Sequence, residues 1–279
     1  MRDGAGLTRF RHIDLFSGIA GFSLAAQWVW GDEHEIACFC EPNKICQNVL
    51  RRHWPWVQIE ENIIGMKRYD SISLISGGDP CPIRSKARSI WGTKHPDLSG
   101  YFLAVVGQCW PEWVLRENVP APDATDFEAA LELLGYRCVI ITTNAYAYTG
   151  QNRIREVIVG CSKTAWMRQF IELYQRQSCE GINQQEQKNM ATTAYPCLTT
   201  NQCRYDSRDG YIWDGSGKLR IADKDEREAL AGFPLGWLDG LSETAVARVT
   251  GNAIVPQVVV PIMQAIKEIE YEECHTWTP

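Results

Sequence analysis

The chain has 279 residues, of which 45% are hydrophobic and 22% are charged, and its formal net charge is −6. These values are ordinary for a soluble globular protein and allow one large domain, or one large and one small, around a proper core. The negative charge argues against a uniformly basic, histone-like nucleic-acid binder, although a local cationic cleft is compatible with it. No uncharged run reaches the length of a membrane span, so we expect a cytoplasmic protein.

The eleven cysteines do not require a disulfide framework, because a chain of this length can fold around its hydrophobic core. No Cys-x-x-Cys pair occurs, and the nearest approach is Cys38-Phe39-Cys40, inside an apolar strand pattern. A zinc site is therefore unsupported, and we expect reduced thiols.

The first half of the chain alternates apolar strand patterns with helical ones, which predicts βαβ units and an α/β fold with a doubly wound, mostly parallel sheet. The predicted strands are 10–16, 35–40, 57–59, 71–76, 113–116, 136–144 and 153–160, the last two forming a hairpin. The predicted helices are 19–30, 43–53, 101–109 and 126–134.

The composition changes after this region. From residue 161 to about 217, Gln and Asn become frequent and apolar periodicity fades, which predicts a small irregular second domain. Regular secondary structure is expected again at 222–230, and an apolar helix is expected at 255–269. We predict a division into residues 1–160, 161–217 and 218–279, with the last helix returning to the first domain.

Asp79-Pro80-Cys81 is the most informative short segment. It follows an apolar run that is typical of a buried strand and that Gly77 and Gly78 end sharply. Cys81 would then lie at the carboxyl edge of the sheet, where open α/β sheets bind ligands. The basic residues after it are Arg84, Lys86, Arg88 and Lys94. Such cations lower a thiol's pKa and attract a polyanion, whereas the alternative is an inert buried cysteine before a solvated basic loop.

The peptide Asp14-Leu-Phe-Ser-Gly-Ile-Ala-Gly21 is a strand that runs into a glycine-containing turn and then a helix. Glycines allow a ligand to approach the backbone, and a helix N-terminus favours a carboxylate or phosphate. Glu41 follows the second strand, about twenty residues later, where a carboxylate commonly holds a ribose diol. The alternative for Glu41 is a solvated carboxylate at a strand end. No Walker-type phosphate loop occurs, which disfavours an NTPase.

Polar residues also end the fifth strand and begin the seventh. Glu117 is expected on the same edge as Cys81, where its carboxyl group could serve as an acid toward a ring nitrogen. A capping or surface role is the alternative. Arg153 and Arg155 are expected to face one side of a strand and to suit an anionic or carbonyl-bearing ligand. They could equally form the solvated face of an edge strand.

In combination these motifs resemble those of DNA (cytosine-5)-methyltransferases. Asp14-Leu-Phe-Ser-Gly-Ile-Ala-Gly21 is similar to the family's S-adenosylmethionine motif and Gly78-Asp-Pro-Cys81 to its nucleophile motif. Glu117-Asn-Val119 is similar to its acidic motif and Gln151-Asn-Arg-Ile-Arg155 to its arginine motif. Its closing motifs resemble Gly232-Phe-Pro234 and Gly251-Asn-Ala-Ile-Val-Pro256.

The resemblance implies a Rossmann-like, S-adenosylmethionine-dependent methyltransferase that acts on a cytosine flipped out of double-stranded DNA. It implies that Cys81 adds to C6, that Glu117 hydrogen-bonds N3 and the exocyclic amine, and that Arg155, with Arg153, holds O2. The residues implied to contact DNA phosphates are Arg84, Lys86 and Arg88. Those implied to bind the cofactor are Phe16, Ser17, Gly18, Gly21, Glu41, Asn62, Ile63, Pro80, Tyr101, Asn252 and Ile254.

The chain departs from the family pattern at Pro82, where members usually carry Gln, and at Asn62, where they usually carry Asp. The region left for target recognition is short, which predicts a short or degenerate recognition sequence or the help of a partner protein. We expect a monomer encoded by a prokaryote or phage, and a restriction–modification role is compatible with the chain. The alternatives are an RNA (tRNA) cytosine-5 methyltransferase and a catalytically silent DNA-binding or regulatory module of the same fold.

Overall fold

The computed structural model describes residues 9–80, 97–120, 123–189, 211–213 and 219–276. The strands of its main sheet are β1 (Phe10–Leu15), β2 (His34–Cys40), β3 (Ile59–Glu60), β4 (Leu74–Gly77), β5 (Trp113–Asn118), β6 (Arg137–Asn144) and β7 (Ile154–Cys161). Their spatial order is β3-β2-β1-β4-β5-β7-β6. β7 pairs antiparallel with both of its neighbours, β5 and β6, and all other neighbouring strands of this sheet pair parallel.

The helices connect these strands and follow them. They are α1 (Gly21–Trp30), α2 (Lys44–His53), α3 (Ser99–Cys109), α4 (Asp123–Leu133), α5 (Tyr146–Thr149), α6 (Trp166–Asn189), α7 (Lys224–Leu230), α8 (Glu243–Asn252) and α9 (Val260–Thr276). Among the described residues, no single helix is long and apolar enough to cross a membrane. One bent pair of helical segments, Glu243–Val258 and Val260–Glu272, has the length and composition of a membrane span. Much of α9, which forms its second half, is buried in the core.

Helices cover both faces of the sheet. α3 and α4 pack on one face through residues such as Phe102 and Phe127, whereas α1, α6 and α9 pack on the other. Along β5, Trp113 faces the α6 and α9 side and Val114 faces the α3 and α4 side, and both are fully buried. Burial on both faces explains why the central strands are continuous apolar runs. The predicted α/β fold with a doubly wound, mostly parallel sheet is confirmed.

The helix after β2 begins where its sequence indicates. Asn43 is the N-cap residue of α2, and its side-chain oxygen accepts a hydrogen bond from the amide of Ile45 at 2.9 Å. This bond satisfies one of the amide groups that a helix N-terminus leaves without an intrahelical partner. The capped helix then packs through Val49 and Leu50 in a cluster with α7 and α8.

Two central strands have different bounds from those predicted. β5 extends to Asn118 because it pairs with β7 as far as Glu156, so Glu117 lies within the strand and not after it. β4 begins at Leu74 instead of residue 71, and Ser71 has a φ of 55°, which is incompatible with a strand.

The expectation of an irregular segment from residue 161 is wrong for its first part, which forms the 24-residue helix α6. The first two turns of α6 bury Trp166, Met167, Phe170 and Leu173 against the core that also contains α9. These residues follow helical spacing, but the Gln-rich sequence after them obscured that period.

The C-terminal region also differs from expectation. Helix α8 was not predicted, and α9 begins at Val260 because Pro256–Val258 forms a separate 3₁₀ turn. Two short strands, β8 (Tyr211–Trp213) and β9 (Leu219–Ile221), pair antiparallel to each other. The division at residues 160 and 217 stays a prediction.

Candidate functional site

The predicted site residues meet at one edge of the sheet. In the parallel strands β1, β2, β4 and β5, the carboxyl ends lie side by side, as the pairings of Leu15 with Cys40 and with Gly77 show. Because β7 is antiparallel, its amino end lies at the same edge, where Glu156 pairs with Asn118. Segments that are distant in sequence therefore contribute neighbouring side chains, as the crevice of an open α/β sheet requires.

The connection between β1 and α1 is a tight, conformationally unusual turn. Phe16, Gly18 and Ala20 all have positive φ values, of 52°, 54° and 71°. Ser17 holds the turn in place, since its hydroxyl donates to the carbonyl of Asp14 at 2.6 Å and accepts from the amide of Cys40 at 3.2 Å. Ser17 thus stabilises the backbone that would surround a cofactor.

Glu41 joins this turn to the end of β2. Its carboxylate accepts hydrogen bonds from the amides of Gly18 and Asn43, each at 2.7 Å. Burial raises the pKa of Glu41, and these two amide bonds oppose that effect. Each carboxylate oxygen retains a lone pair after one hydrogen bond, so Glu41 can still accept from a ligand hydroxyl group.

Gly21 allows the C-terminal segment to approach the start of α1. A Cβ atom at Gly21 would lie 2.4 Å from Cγ2 and 2.6 Å from the carbonyl oxygen of Ile254, so only glycine fits there. Ile254 is buried, whereas Asn252, the last residue of α8, is exposed two residues earlier. The first motif and the closing motif are therefore in direct contact.

The backbone that follows β4 passes next to the end of β5. A Cβ atom at Gly77 would lie 2.6 Å from the carbonyl oxygen of Leu15, and one at Gly78 would lie 3.1 Å from Oε2 of Glu117. The two glycines thus permit close backbone contact on both sides of the loop. Pro80 is half-buried at the end of the described part of this loop. The predicted residues that lie outside the described ranges are Cys81, Arg84, Lys86 and Arg88.

Glu117 and Arg155 form an ion pair next to this loop. Nε of Arg155 lies 2.9 Å from Oε1 of Glu117, and the two side chains are 17% and 12% exposed. Oε1 of Glu117 is buried and, among the described residues, receives no hydrogen bond of suitable geometry, so its contact with Arg155 is an ion pair. A carboxyl group in this position can hydrogen-bond a ligand while the guanidinium group orients it.

The arginine motif divides its contacts between two regions. Gln151 donates to the carbonyl of Leu230 at 2.9 Å, and Arg153 donates to the carbonyls of Gly251, at 3.2 Å, and Ala253, at 2.9 Å. Both side chains are buried. Arg153 was expected to bind a ligand beside Arg155, but its guanidinium group contacts backbone on both sides of Asn252. These contacts indicate that Arg153 positions the C-terminal segment.

The remaining predicted cofactor residues have different environments. The side-chain oxygen of Asn62 accepts from the amide of Ile64 at 2.9 Å, while Ile63 is buried beside it. Phe16 stacks on Phe102, with ring centroids 6.4 Å apart, and Tyr101 is exposed in the first turn of α3.

The cysteines with described side chains are free thiols, most of them buried. Burial raises the pKa of Cys38 to about 11 and that of Cys40 to about 12, with smaller contributions from neighbouring groups. Thiols of this kind are inert at neutral pH because the thiolate is the nucleophile. They are therefore poor nucleophiles.

Sequence reasoning missed one pair in this region, the buried carboxylate of Asp79 and the guanidinium group of Arg116. The signal for it was present, since Arg116 is a charged residue directly after the apolar run Trp113-Val114-Leu115. A charge inside a buried strand requires a partner.

The chain is similar in sequence to known proteins. A family model described as C-5 cytosine-specific DNA methylase matches residues 10–214, well over half of the chain. The Type II methyltransferase M2.BsuMI of Bacillus subtilis is 28% identical over 160 residues, and M.HgiCII of Herpetosiphon aurantiacus is 27% identical over 178 residues. These matches cover 53% and 55% of this chain but only 40% and 38% of the two relatives, so the chain spans about two fifths of their length.

Solved structures share the fold over nearly the whole chain. The Entamoeba histolytica methyltransferase EhMeth has a TM-score of 0.67 at 13% identity, covering 94% of this chain and 99% of its own. The Dnmt2 methyltransferase of S. pombe has a TM-score of 0.66 at 15% identity, covering 96% and 100%. A putative DNA modification methyltransferase encoded within an E. coli prophage has a TM-score of 0.64 at 16% identity, covering 94% and 99%. At these identities the likeness establishes the fold alone.

Proposed function

Since the chain belongs to the C-5 cytosine-specific DNA methylase family, we propose that it transfers a methyl group from S-adenosylmethionine to C5 of a cytosine flipped out of double-stranded DNA. The observation that carries this proposal is the contact between Glu117 and Arg155 beside Gly78, three residues before Cys81. A carboxyl group, a guanidinium group and the approach to a cysteine meet there at the ligand-binding edge of the sheet.

The chemistry assigns a role to each of these groups. C5 of cytosine is a weak nucleophile, so the thiolate of Cys81 first adds to C6 and forms a covalent bond. Glu117 hydrogen-bonds N3 and the exocyclic amine and stabilises the charge that develops on the ring. Arg155 contacts O2 and holds Glu117 in place. After C5 has gained the methyl group, loss of the C5 proton and β-elimination release Cys81.

The described residues fit S-adenosylmethionine, which supplies an electrophilic methyl group on a sulfonium when bound. Glu41 has acceptor capacity for a ribose diol, and the Gly18 turn allows close approach of a ligand to the backbone. The amino end of α1 suits the carboxylate of the methionine moiety. Phe16 and Ile63 provide apolar contacts, with Asn62, Pro80, Tyr101 and Asn252 at the rim of the same edge.

DNA binding is assigned to the segment after Cys81. It contains Arg84, Lys86 and Arg88 and no acidic residue before Pro96. If these cations contact phosphates, the affinity for DNA falls steeply as salt rises, because binding releases counterions. Target recognition is assigned to residues 161–217 outside the first two turns of α6, which are buried in the core, with a short or degenerate recognition sequence or with a protein partner. The protein acts as a monomer in the cytoplasm.

Covalent trapping on duplex DNA that contains 5-fluorocytosine tests the proposal. Fluorine at C5 blocks β-elimination, so an active enzyme stays bound to its substrate through denaturing electrophoresis. We expect an adduct that requires S-adenosylmethionine, is absent in Cys81→Ala and persists in Cys138→Ala, a matched change on β6. No adduct by the wild type despite tight cofactor binding would defeat the proposal, and parallel reactions with tRNA would then test RNA as the acceptor.

A further inference from the structure

Asp79 and Arg116 form a buried, two-point ion pair. Nε of Arg116 donates to Oδ1 of Asp79 at 2.5 Å, and an Nη2 hydrogen bond reaches Oδ2 at 2.9 Å. The side chains are 2% and 3% exposed. On its other side the guanidinium group lies over the ring of Phe127, 4.3 Å from the centroid. A bidentate contact between a guanidinium and a carboxylate group fixes both the distance between the two side chains and their relative orientation.

The pair joins the two segments on which the proposed chemistry depends. Asp79 lies two residues before Cys81, and Arg116 directly precedes Glu117. A third bond links the same segments, since the side-chain amide of Asn118 donates to the carbonyl of Asp79 at 3.2 Å. Successive residues of a strand face opposite sides, so Arg116 anchors the loop from the face of β5 opposite to Glu117.

Little freedom remains between this anchor and Cys81. Pro80 has a fixed φ, and it also restricts the backbone of Asp79 before it. With its carboxylate held by Arg116 and its carbonyl by Asn118, Asp79 is fixed at both side chain and backbone, two residues before Cys81.

We propose that Asp79 and Arg116 are positioning residues that set the approach of the Cys81 segment to Glu117, an inference that rests on the proposed function. A buried ion pair contributes little net stability compared with apolar residues of similar volume, so the fold alone does not require it. Its two directional hydrogen bonds provide what apolar packing cannot, a defined orientation of the loop.

The test is the double variant Asp79→Leu/Arg116→Met, which removes both charges together and leaves neither one buried alone. We expect cooperative unfolding and S-adenosylmethionine affinity close to those of the wild type. The single-turnover rate of methyl transfer to duplex DNA should fall about 100-fold, because a small misplacement of reacting groups costs that much. Trapping on 5-fluorocytosine DNA should slow in parallel while the KM for DNA changes little.

The matched control is Glu112→Gln/Lys163→Met, which removes an ion pair at the opposite end of β5 and β7. Those side chains are 2.8 Å apart and 38% and 44% exposed. This control should keep the wild-type rate.

A double variant with the wild-type rate would overturn the inference while leaving the proposed function intact. If it fails to bind S-adenosylmethionine, Asp79→Asn/Arg116→Gln, which also removes both charges but keeps polar side chains, replaces it and should show a comparable loss of rate. Loss of cofactor binding in both variants would also overturn the inference, since the pair would then serve the fold. Failure of the wild type itself to methylate DNA would defeat the proposed function.

Discussion

Gly21 and Ile254, near opposite ends of the chain, are in such close contact that any side chain at Gly21 would overlap with Ile254. The contact places the closing segment, with Asn252, against the first turn of α1. The carboxyl edge of the sheet is therefore bordered by segments from both halves of the chain, and Arg153 holds the same C-terminal segment through the carbonyls of Gly251 and Ala253.

Gly21→Ala should destabilise the protein by about 1–3 kcal/mol, the usual cost of inserting a methyl group into a packed site. The new Cβ would meet both the side chain and the backbone carbonyl of Ile254, and the backbone atom cannot move as a rotamer can. Urea unfolding measures the change. Gly107→Ala, in the last turn of α3, is the matched control, because among the described residues only Leu134 approaches within 4 Å of its Cβ, at 3.9 Å. It should instead stabilise by about 0.5–1 kcal/mol through helix propensity.

Arg153→Lys should weaken S-adenosylmethionine binding more than it lowers the rate of methyl transfer. A lysine cannot reproduce the forked contacts to the carbonyls of Gly251 and Ala253, so Asn252 loses its support. A hydrogen bond to a charged group is worth about 1.5–3 kcal/mol, which corresponds to an affinity loss of roughly tenfold or more. Calorimetric titration measures it. Arg155→Lys is the comparison, because Arg155 contacts Glu117 and not the backbone around Asn252. This change should slow methyl transfer with little change in cofactor affinity. Equal effects of the two changes would contradict the division of roles.

Glu117→Gln should reduce methyl transfer about 10²–10³-fold while cofactor affinity stays near that of the wild type. The amide keeps the size of the side chain but has neither the charge nor the proton of a carboxyl group. Single-turnover assays with labelled S-adenosylmethionine give the rate. Glu172→Gln on α6, where 67% of the side chain is exposed, is the control and should behave as the wild type. A rate unchanged in Glu117→Gln would remove Glu117 from the mechanism.

Asp14 should make the stability depend on pH. Its side chain is 1% exposed, and burial raises its pKa to about 7, although hydrogen bonds from Ser23 and Ser76 oppose the shift. An unfolded aspartate ionises near pH 4, so between about pH 4 and 7 the folded protein holds a proton that the unfolded chain has lost. The stabilisation that the folded state gains from keeping Asp14 protonated is complete below about pH 4. It falls as pH rises toward 7 and is absent above pH 7.

The measurement is the free energy of unfolding of the wild type relative to Asp14→Asn, from urea titrations at pH 5 and pH 8. The wild type should lose stability relative to the variant as pH rises. Asp70→Asn, at a position where 78% of the side chain is exposed, should leave the pH profile unchanged. Parallel profiles for the wild type and Asp14→Asn would contradict the raised pKa.

The sequence alone determined the alternation of strands and helices in the first half and the carboxyl edge to which Glu41 and Glu117 belong. This was possible because apolar periodicity and strand-ending glycines are local signals, and because parallel strands bring their carboxyl ends to one edge. The predicted strand-to-helix turn after β1 and the antiparallel pair β6 and β7 followed from the same signals.

Only the tertiary structure decided the partners of individual side chains. Arg153 and Arg155 are equivalent in the sequence, yet one contacts the backbone around Asn252 and the other contacts Glu117. The pairing of Asp79 with Arg116 and the contact of Gly21 with Ile254 likewise join segments that the sequence keeps apart. Periodicity specifies which face of an element is buried, whereas which distant group a buried charge meets depends on how the elements pack in three dimensions.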